Sequence, residues 1–392
     1  MKKLIVAVIC AALLGGCAVR DADSQNALKN RVPEIVVPNQ VGPLQQYDEQ
    51  QLFQLTDTQI AEFRAWYDAP HRADIEPHER LYNYLESYTY GFDYRGNTYT
   101  ASEAMTEKAG NCLSLAMMTT ALARVAGIET GFQMVNATPV FKQKNNVLLL
   151  SYHVRTYLYD PNWQPKQGVL TLIRPRLVVD YFPNRYDVPG DAVSEALFMS
   201  MYYRNLAADA LLENDTRNAF WLTRKALELA PEDAENINLM AIIYRRLAMP
   251  ELSEQYYQYG MAVAQNNTNM LSNYAILLES QNRTRDAEKI RQRLLDFPDN
   301  NPYAWIKLGH EAYQEENHSR AINYYKKAMA LAPYLDEIYF GLAKSLYRRG
   351  EYAKAAQAMR VAAEKSWEQS ERNLYYAKLS ALQARRFDPE KE

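Results

Sequence analysis

The chain has 392 residues with 44 Lys and Arg against 47 Asp and Glu, a formal net charge of −3, and is 48% hydrophobic and 23% charged. That balance describes a folded body with ample core, long enough for two domains. It contains no basic run and little clustering of Lys and Arg, which argues against nucleic-acid binding.

Lys2 and Lys3 lead into an apolar stretch, Leu4 to Leu14, of eleven residues. A bilayer core of about 30 Å needs a longer helix, so this stretch reads as an export signal and not as a membrane span. The segment Leu14-Gly15-Gly16-Cys17 resembles the lipobox of bacterial lipoproteins, which is cut before a cysteine that is then acylated. The resemblance implies a signal peptide over residues 1–16, lipidation at Cys17, and attachment to a membrane through that N-terminal lipid. Ala18, where retention in the inner membrane uses Asp, implies the outer membrane facing the periplasm of the bacterial cell envelope. Losing Lys2 and Lys3 leaves 42 basic against 47 acidic residues, a balance of −5. Cys10 departs with the signal and Cys17 carries lipid, so Cys112 becomes the single thiol of the processed chain and no internal disulfide can form. A lone thiol in an oxidising compartment is either buried and inert or kept for its chemistry.

Residues 17–50 are rich in Asn, Gln and Asp, with Pro33, Pro38 and Pro43 and no helical or strand period. They read as a lipidated N-terminus and flexible tether with a root-mean-square reach of about 30 Å.

Residues 51–190 form the expected front domain. Helices are predicted at Thr56–Tyr67, His78–Tyr88 and Leu113–Val125, followed by β-rich runs at Glu129–Val135, Val147–Tyr159, Val169–Ile173 and Leu177–Phe182. Helices before strands argue an α+β fold, and a helix apolar on every face, as Leu113–Val125 is, belongs mid-core. Cys112 sits where a polar turn, Gly110-Asn111, meets that helix. Helix dipole and N-terminal N–H groups there favour thiolate over thiol.

The stretch from Tyr82 to Pro183 resembles the transglutaminase-like branch of the papain-like cysteine enzymes. The resembling residues are a tyrosine-rich helix, Thr100-Ala101-Ser102-Glu103-Ala104-Met105, Gly110-Asn111-Cys112, an apolar helix closing in Arg124-Val125-Ala126-Gly127-Ile128, and strands carrying His153 and Asp180. That chemistry needs a thiolate to attack an amide carbonyl, an imidazole to carry the proton, and a carboxylate to orient the imidazole. Cys112 is the candidate nucleophile. His153 is the candidate base, because His71 and His78 fall in a polar connection, and alternation places His153, Arg155 and Tyr157 on one strand face. Asp180, an acid inside the apolar run Leu177–Phe182, is costly without a partner and is assigned as third member; Asp160, in Asp160-Pro161-Asn162, reads as a turn acid and is the fallback. Asn111 and Ser114 read as capping residues. The resemblance further implies that the Cys112 main-chain N–H serves the oxyanion. Arg155 stands where crosslinking enzymes carry the Trp of His-x-Trp, and no acidic calcium loop is apparent, both of which argue against calcium-dependent crosslinking. Five scattered histidines without His-Glu-x-x-His predict no metal, and the absence of a glycine-rich phosphate loop predicts no nucleotide cofactor.

Residues 191–392 repeat with a period of 34, from starts at Ser200, Ala234, Thr268, Pro302 and Asp336. The fourth copy holds Trp305, Leu308, Gly309, Ala321, Tyr325, Ala328 and Pro333, which resembles the tetratricopeptide pattern. Five helical pairs and a capping helix over Ser370–Arg386 are expected. Such arrays present a concave groove to a protein or peptide, here toward Arg204, Asn238, Ile276, His310, Tyr313, Lys344 and Tyr347.

The sequence thus predicts an α+β transglutaminase-like domain followed by an all-α tetratricopeptide-repeat solenoid. The expected function is a membrane-anchored thiol enzyme acting on amide bonds, as peptidase, amidase or acyl transferase, with no cofactor. An inactive lipoprotein scaffold that recruits envelope proteins is the alternative, and a peptidoglycan-active amidase a third reading.

Overall fold

A computed structural model describes residues 33–94, 97–144, 147–165, 174–181, 187–263, 268–296, 301–366 and 369–385. The signal segment, Cys17 and the run expected at Val169–Ile173 lie outside the described residues. Contacts divide the chain into two compact units, Leu44–Asn214 with Asn301–Glu392, and Met1–Pro43 with Asp215–Asn300.

The first stretch of the larger unit carries α1 (Asp57–Tyr67), α2 (Pro77–Tyr88), α3 (Ala101–Glu107) and α4 (Cys112–Ala126), then β1 (Thr130–Lys144), β2 (Val147–Tyr159), β3 (Arg176–Val179) and β4 (Val188–Val193), and α5 (Glu195–Leu212). Two helix starts are fixed by reciprocal caps. Thr56 Oγ1 accepts from the Gln59 N–H while Gln59 accepts from the Thr56 N–H, and Thr100 and Glu103 repeat the pattern on α3. Every residue of α4 from Cys112 to Ala123 is buried, as a helix apolar on all sides requires. Its neighbours in that core include Phe63, Leu81, Met105, Leu158 and Val179.

The four strands form one antiparallel sheet in the order β3-β2-β1-β4. β1 extends beyond the expected Glu129–Val135 to Lys144, and its register against β2 shifts between Val135 and Val140. Pro139, with no N–H to donate, falls inside that shift. α4 packs against β2, which brings the helix start and the middle of the sheet together.

The smaller unit holds α6 (Thr216–Leu229), α7 (Ala234–Arg246), α8 (Pro250–Val263), α9 (Thr268–Ser280) and α10 (Thr284–Leu295). In the larger unit follow α11 (Pro302–Gln314), α12 (His318–Leu331), α13 (Asp336–Arg348), α14 (Tyr352–Lys365) and the final α15 (Gln369–Arg385). From Ala234 onward the first helix of each pair starts on the 34-residue period. The first pair departs from it, since α5 begins at Glu195 behind an N-cap at Ser194 and not at Ser200. Glycines let neighbouring helices close on an aromatic ring. An ideal Cβ on Gly309 or Gly341 would lie 2.7 or 2.3 Å from the fully buried Tyr325 ring. Trp305 and Leu308 are each 1% exposed.

Residues 33–43, which composition assigns to the tether, belong to the smaller unit, where residues 33–38 form neither helix nor strand and lead into a 3-10 turn at Asn39–Val41, with Pro38 and Val41 buried. Apolar burial and side-chain donors for its carbonyls order this stretch, neither of which composition reveals.

Candidate active site

The start of α4 is built by a short network of turns. Gly110 adopts φ +149°, and a Cβ there would stand 2.6 Å from the Ser114 Cβ, so only glycine fits. Its N–H donates to the Asp93 carbonyl at 3.0 Å. Asn111 caps the helix, its Oδ1 accepting from the Leu113 and Ser114 N–H groups at 3.1 Å, while its amide donates to Thr98 Oγ1 at 2.7 Å. Ser114 Oγ accepts from the Tyr99 N–H at 2.7 Å. Asn111 and Ser114 are thus structural, and between them Cys112 is held at the first helical position, 4% exposed.

β2 contributes His153. Alternation along the strand buries Val154, Thr156 and Leu158 on one face, while His153 and Tyr157 are buried on the other. β3 ends at Val179 opposite Thr156, and the next residue, Asp180, meets His153 with 2.6 Å between Oδ1 and Nε2. The two side chains are 8% and 17% exposed. The imidazole also hydrogen-bonds Cys112. Burial opposes charge on the ring, but hydrogen bonds to Asp180 and Cys112 and their negative charge outweigh it and raise the pKa to about 9. At neutral pH the ring is therefore a cation lying between a sulfur and a carboxylate. The structure brings Cys112, His153 and Asp180 together.

Asp160 lies elsewhere. Its Oδ1 accepts from the Asn162 N–H at 2.8 Å, a turn-forming bond, and stands 3.9 Å from Nδ1 of the buried His78. His71 is exposed on a short 3-10 turn.

Two neighbours escaped sequence reasoning. Asp187, just before β4, places a carboxylate oxygen within 4.8 Å of donor atoms of both His153 and Asp180. Among the described residues these three could also meet on a cation, but an imidazole bonded to a thiol is already a proton-carrying partner for the carboxylates. Tyr181 donates to Thr119 Oγ1 at 2.6 Å and sits 3.3 Å from Thr156 Oγ1, pinning α4 to β2 beside the site. Burial raises its phenol pKa, and the nearby Cys112 and Asp180 add to the effect. No spacing or motif in the sequence marks either residue. Gln133 ties three strands below them, accepting from Arg155 Nε at 2.8 Å and donating to the Gly190 carbonyl at 2.9 Å.

Residues 63–164 match the family model of the transglutaminase-like superfamily, and residues 312–366 match that of the tetratricopeptide repeat. The chain is 28% identical over 160 residues to the type IV pilus assembly protein PilF of Pseudomonas aeruginosa, covering 40% of this chain and 62% of that protein. It therefore spans about three-fifths of the length of this curated relative. Similar solved structures include pilF of P. aeruginosa, with TM-score 0.31 and 23% identity over 48% of this chain and 85% of that one. PilW, described as a type IV pilus biogenesis factor, gives TM-score 0.32 and 17% identity over 49% and 88%. The chain is a transglutaminase-like domain followed by tetratricopeptide-like helical repeats.

Proposed function

We propose that the chain is a thiol enzyme of the bacterial cell envelope that acts on amide bonds, and that its repeats bind a protein partner or substrate. One contact set supports the reading above all: His153, 2.6 Å from Asp180, is also hydrogen-bonded to Cys112. In this reading the Cys112 sulfur attacks an amide carbonyl, and His153 gives its proton to the departing amine as the C–N bond breaks. The thioester left on Cys112 is released by water, which is hydrolysis, or by an amine, which is transfer; His153 takes the incoming proton. Asp180 fixes the ring and stabilises its cation. The N-terminus of α4, with the Cys112 N–H, faces the charge that develops on the carbonyl oxygen.

The envelope location rests on the lipobox-like Leu14–Cys17 and on the similarity to a pilus assembly protein. Under it, Cys17 carries lipid and the body sits at the outer membrane, facing the periplasm. Tetratricopeptide repeats generally mediate protein–protein interaction, and here they would deliver a polypeptide to Cys112.

A second reading, an inactive lipoprotein scaffold that recruits envelope proteins, is favoured by the 4% exposure of Cys112. A panel of glutamine- and amide-containing peptides separates the two. The enzyme reading expects cleavage or amine incorporation by the wild type, none by Cys112→Ala, and an acyl mass increment on Cys112 after acid quenching. Wild-type protein that gives neither turnover nor adduct, with envelope extract as substrate as well, would leave the scaffold.

A further inference from the structure

The strand that supplies His153 also carries a charged patch that the chemistry proposed at Cys112 leaves unused. Arg155, Tyr157 and Gln133 share one face of the sheet, since Arg155 Nε donates to Gln133 Oε1 at 2.8 Å and the Tyr157 hydroxyl donates to the same oxygen. Arg176 of β3 lies on that face too, its guanidinium carbon 3.7 Å from the centre of the Tyr157 ring. His153 precedes Arg155 by two residues on β2. At about 3.3 Å per residue, that is about 7 Å along the strand. The patch is open to solvent: Arg155 and Arg176 are half-buried, and Val178, which pairs with Tyr157 across the β2–β3 ladder, is 39% exposed.

Neither guanidinium has a carboxylate partner among the described residues. Arg155 donates to a neutral amide and Arg176 rests on a neutral ring, whereas the nearby Arg174 is paired with Glu129. Residues 145–146, 166–173 and 182–186, outside the described set, contain no Asp or Glu. From Thr130 to Val179 there are six Lys and Arg against one acid, Asp160, which is engaged at its own turn. Two half-buried like charges flanking one ring repel each other, and a carboxylate accepting from both relieves that repulsion. The acids gather instead at His153, where Asp180 and Asp187 stand. Charge thus changes sign along the strand. A substrate carboxylate is repelled beside the sulfur and attracted farther on. In an extended chain, residues two apart point to the same side about 7 Å from each other, which matches the step from His153 to Arg155.

We propose that Arg155 and Arg176 bind a Glu or Asp side chain of the substrate polypeptide, two residues from the amide that Cys112 attacks. The proposal rests on the thiol-enzyme reading for its substrate, but its test needs no turnover. The full chain is alkylated with iodoacetyl-Gly-Glu amide and with acetyl-Glu-Gly chloromethyl ketone, which carry the carboxylate on either side of the electrophile, and with their Lys counterparts. Mass spectrometry follows the adduct on Cys112. In at least one pair the Glu reagent should react roughly tenfold or more faster than its Lys counterpart, the scale of a charge-assisted bond. Arg155→Gln with Arg176→Gln should lower that ratio roughly fivefold or more, and the ratio cancels any general change in sulfur reactivity. A wild-type ratio near one, or a ratio that the double variant keeps, overturns the proposal. Should the double variant fail to fold, Arg176→Gln alone is read by the same criterion. Faster reaction of iodoacetyl-Gly-Gly with a free carboxylate than of either Glu reagent would assign the patch to a chain end and overturn the side-chain assignment. An arginine-dependent ratio in a protein that turns over no peptide supports the subsite and counts against the thiol-enzyme reading alone.

Discussion

Raising the pH from 6 to 10 should loosen the core around α4 and β2 by an amount the site geometry sets. Burial disfavours charge on His153, yet its bonds to Asp180 and Cys112 and their negative charge hold the pKa at about 9, against 6.5 ordinarily. Because the folded value is the higher one, the stabilisation is complete below pH 6.5 and is lost as pH climbs through about 9. At about 1.4 kcal/mol per pH unit, the interval is worth about 3 kcal/mol. The side chain is 8% exposed, so solvent screening removes little of it. Amide exchange of the α4 and β2 segments, followed by mass spectrometry, reports this core separately from the repeats. Opening free energy should fall by about 3 kcal/mol more in the wild type than in His153→Gln between pH 6.5 and 9.5. Parallel profiles for the two proteins would refute the reasoning, and so would a wild-type loss confined to below pH 6.

Gly110→Ala forces a Cβ to 2.6 Å from Ser114 at a φ that side chains rarely adopt. It should cost roughly 1–3 kcal/mol by thermal denaturation, with slower alkylation of Cys112 as the helix start shifts. Asp160→Asn keeps the turn acceptor to Asn162 and should leave alkylation within about twofold of wild type, whereas Asp180→Asn should slow it roughly tenfold or more, the worth of one charged hydrogen bond. Leu308→Asp buries an uncompensated charge at a site 1% exposed and should unfold its repeats, seen as lost helical circular dichroism, with Cys112 reactivity spared.

Much of the fold was legible because it follows local rules. The 34-residue period places the helix pairs from Ala234 onward, and Asn111 announces the helix it caps, whereas the seven-residue α3 behind Thr100 is too short to show a period and was not among the expected helices. The candidate site was legible where residue type was scarce: one cysteine between residues 51 and 190, few histidines, and an acid in an apolar run. Tyr181 and Asp187 were not, because they reach the site through strand register and a loop, which carry no spacing signal. The continuation of β1 past Val135 was hidden by Asn136-Ala137-Thr138-Pro139, which breaks the strand period where the register shifts. Residues 33–43 read as tether because an irregular segment held through its carbonyls has the composition of a linker.

His153 holds positive charge beside the Cys112 sulfur. Iodoacetamide alkylation of that residue at pH 6, in wild type and in His153→Ala, measures it directly. The wild-type rate should stand well above that of a small-molecule thiol and fall roughly tenfold or more in the variant. Equal, slow rates in both proteins, with the fold intact, would contradict it and leave a repeat scaffold with a buried cysteine.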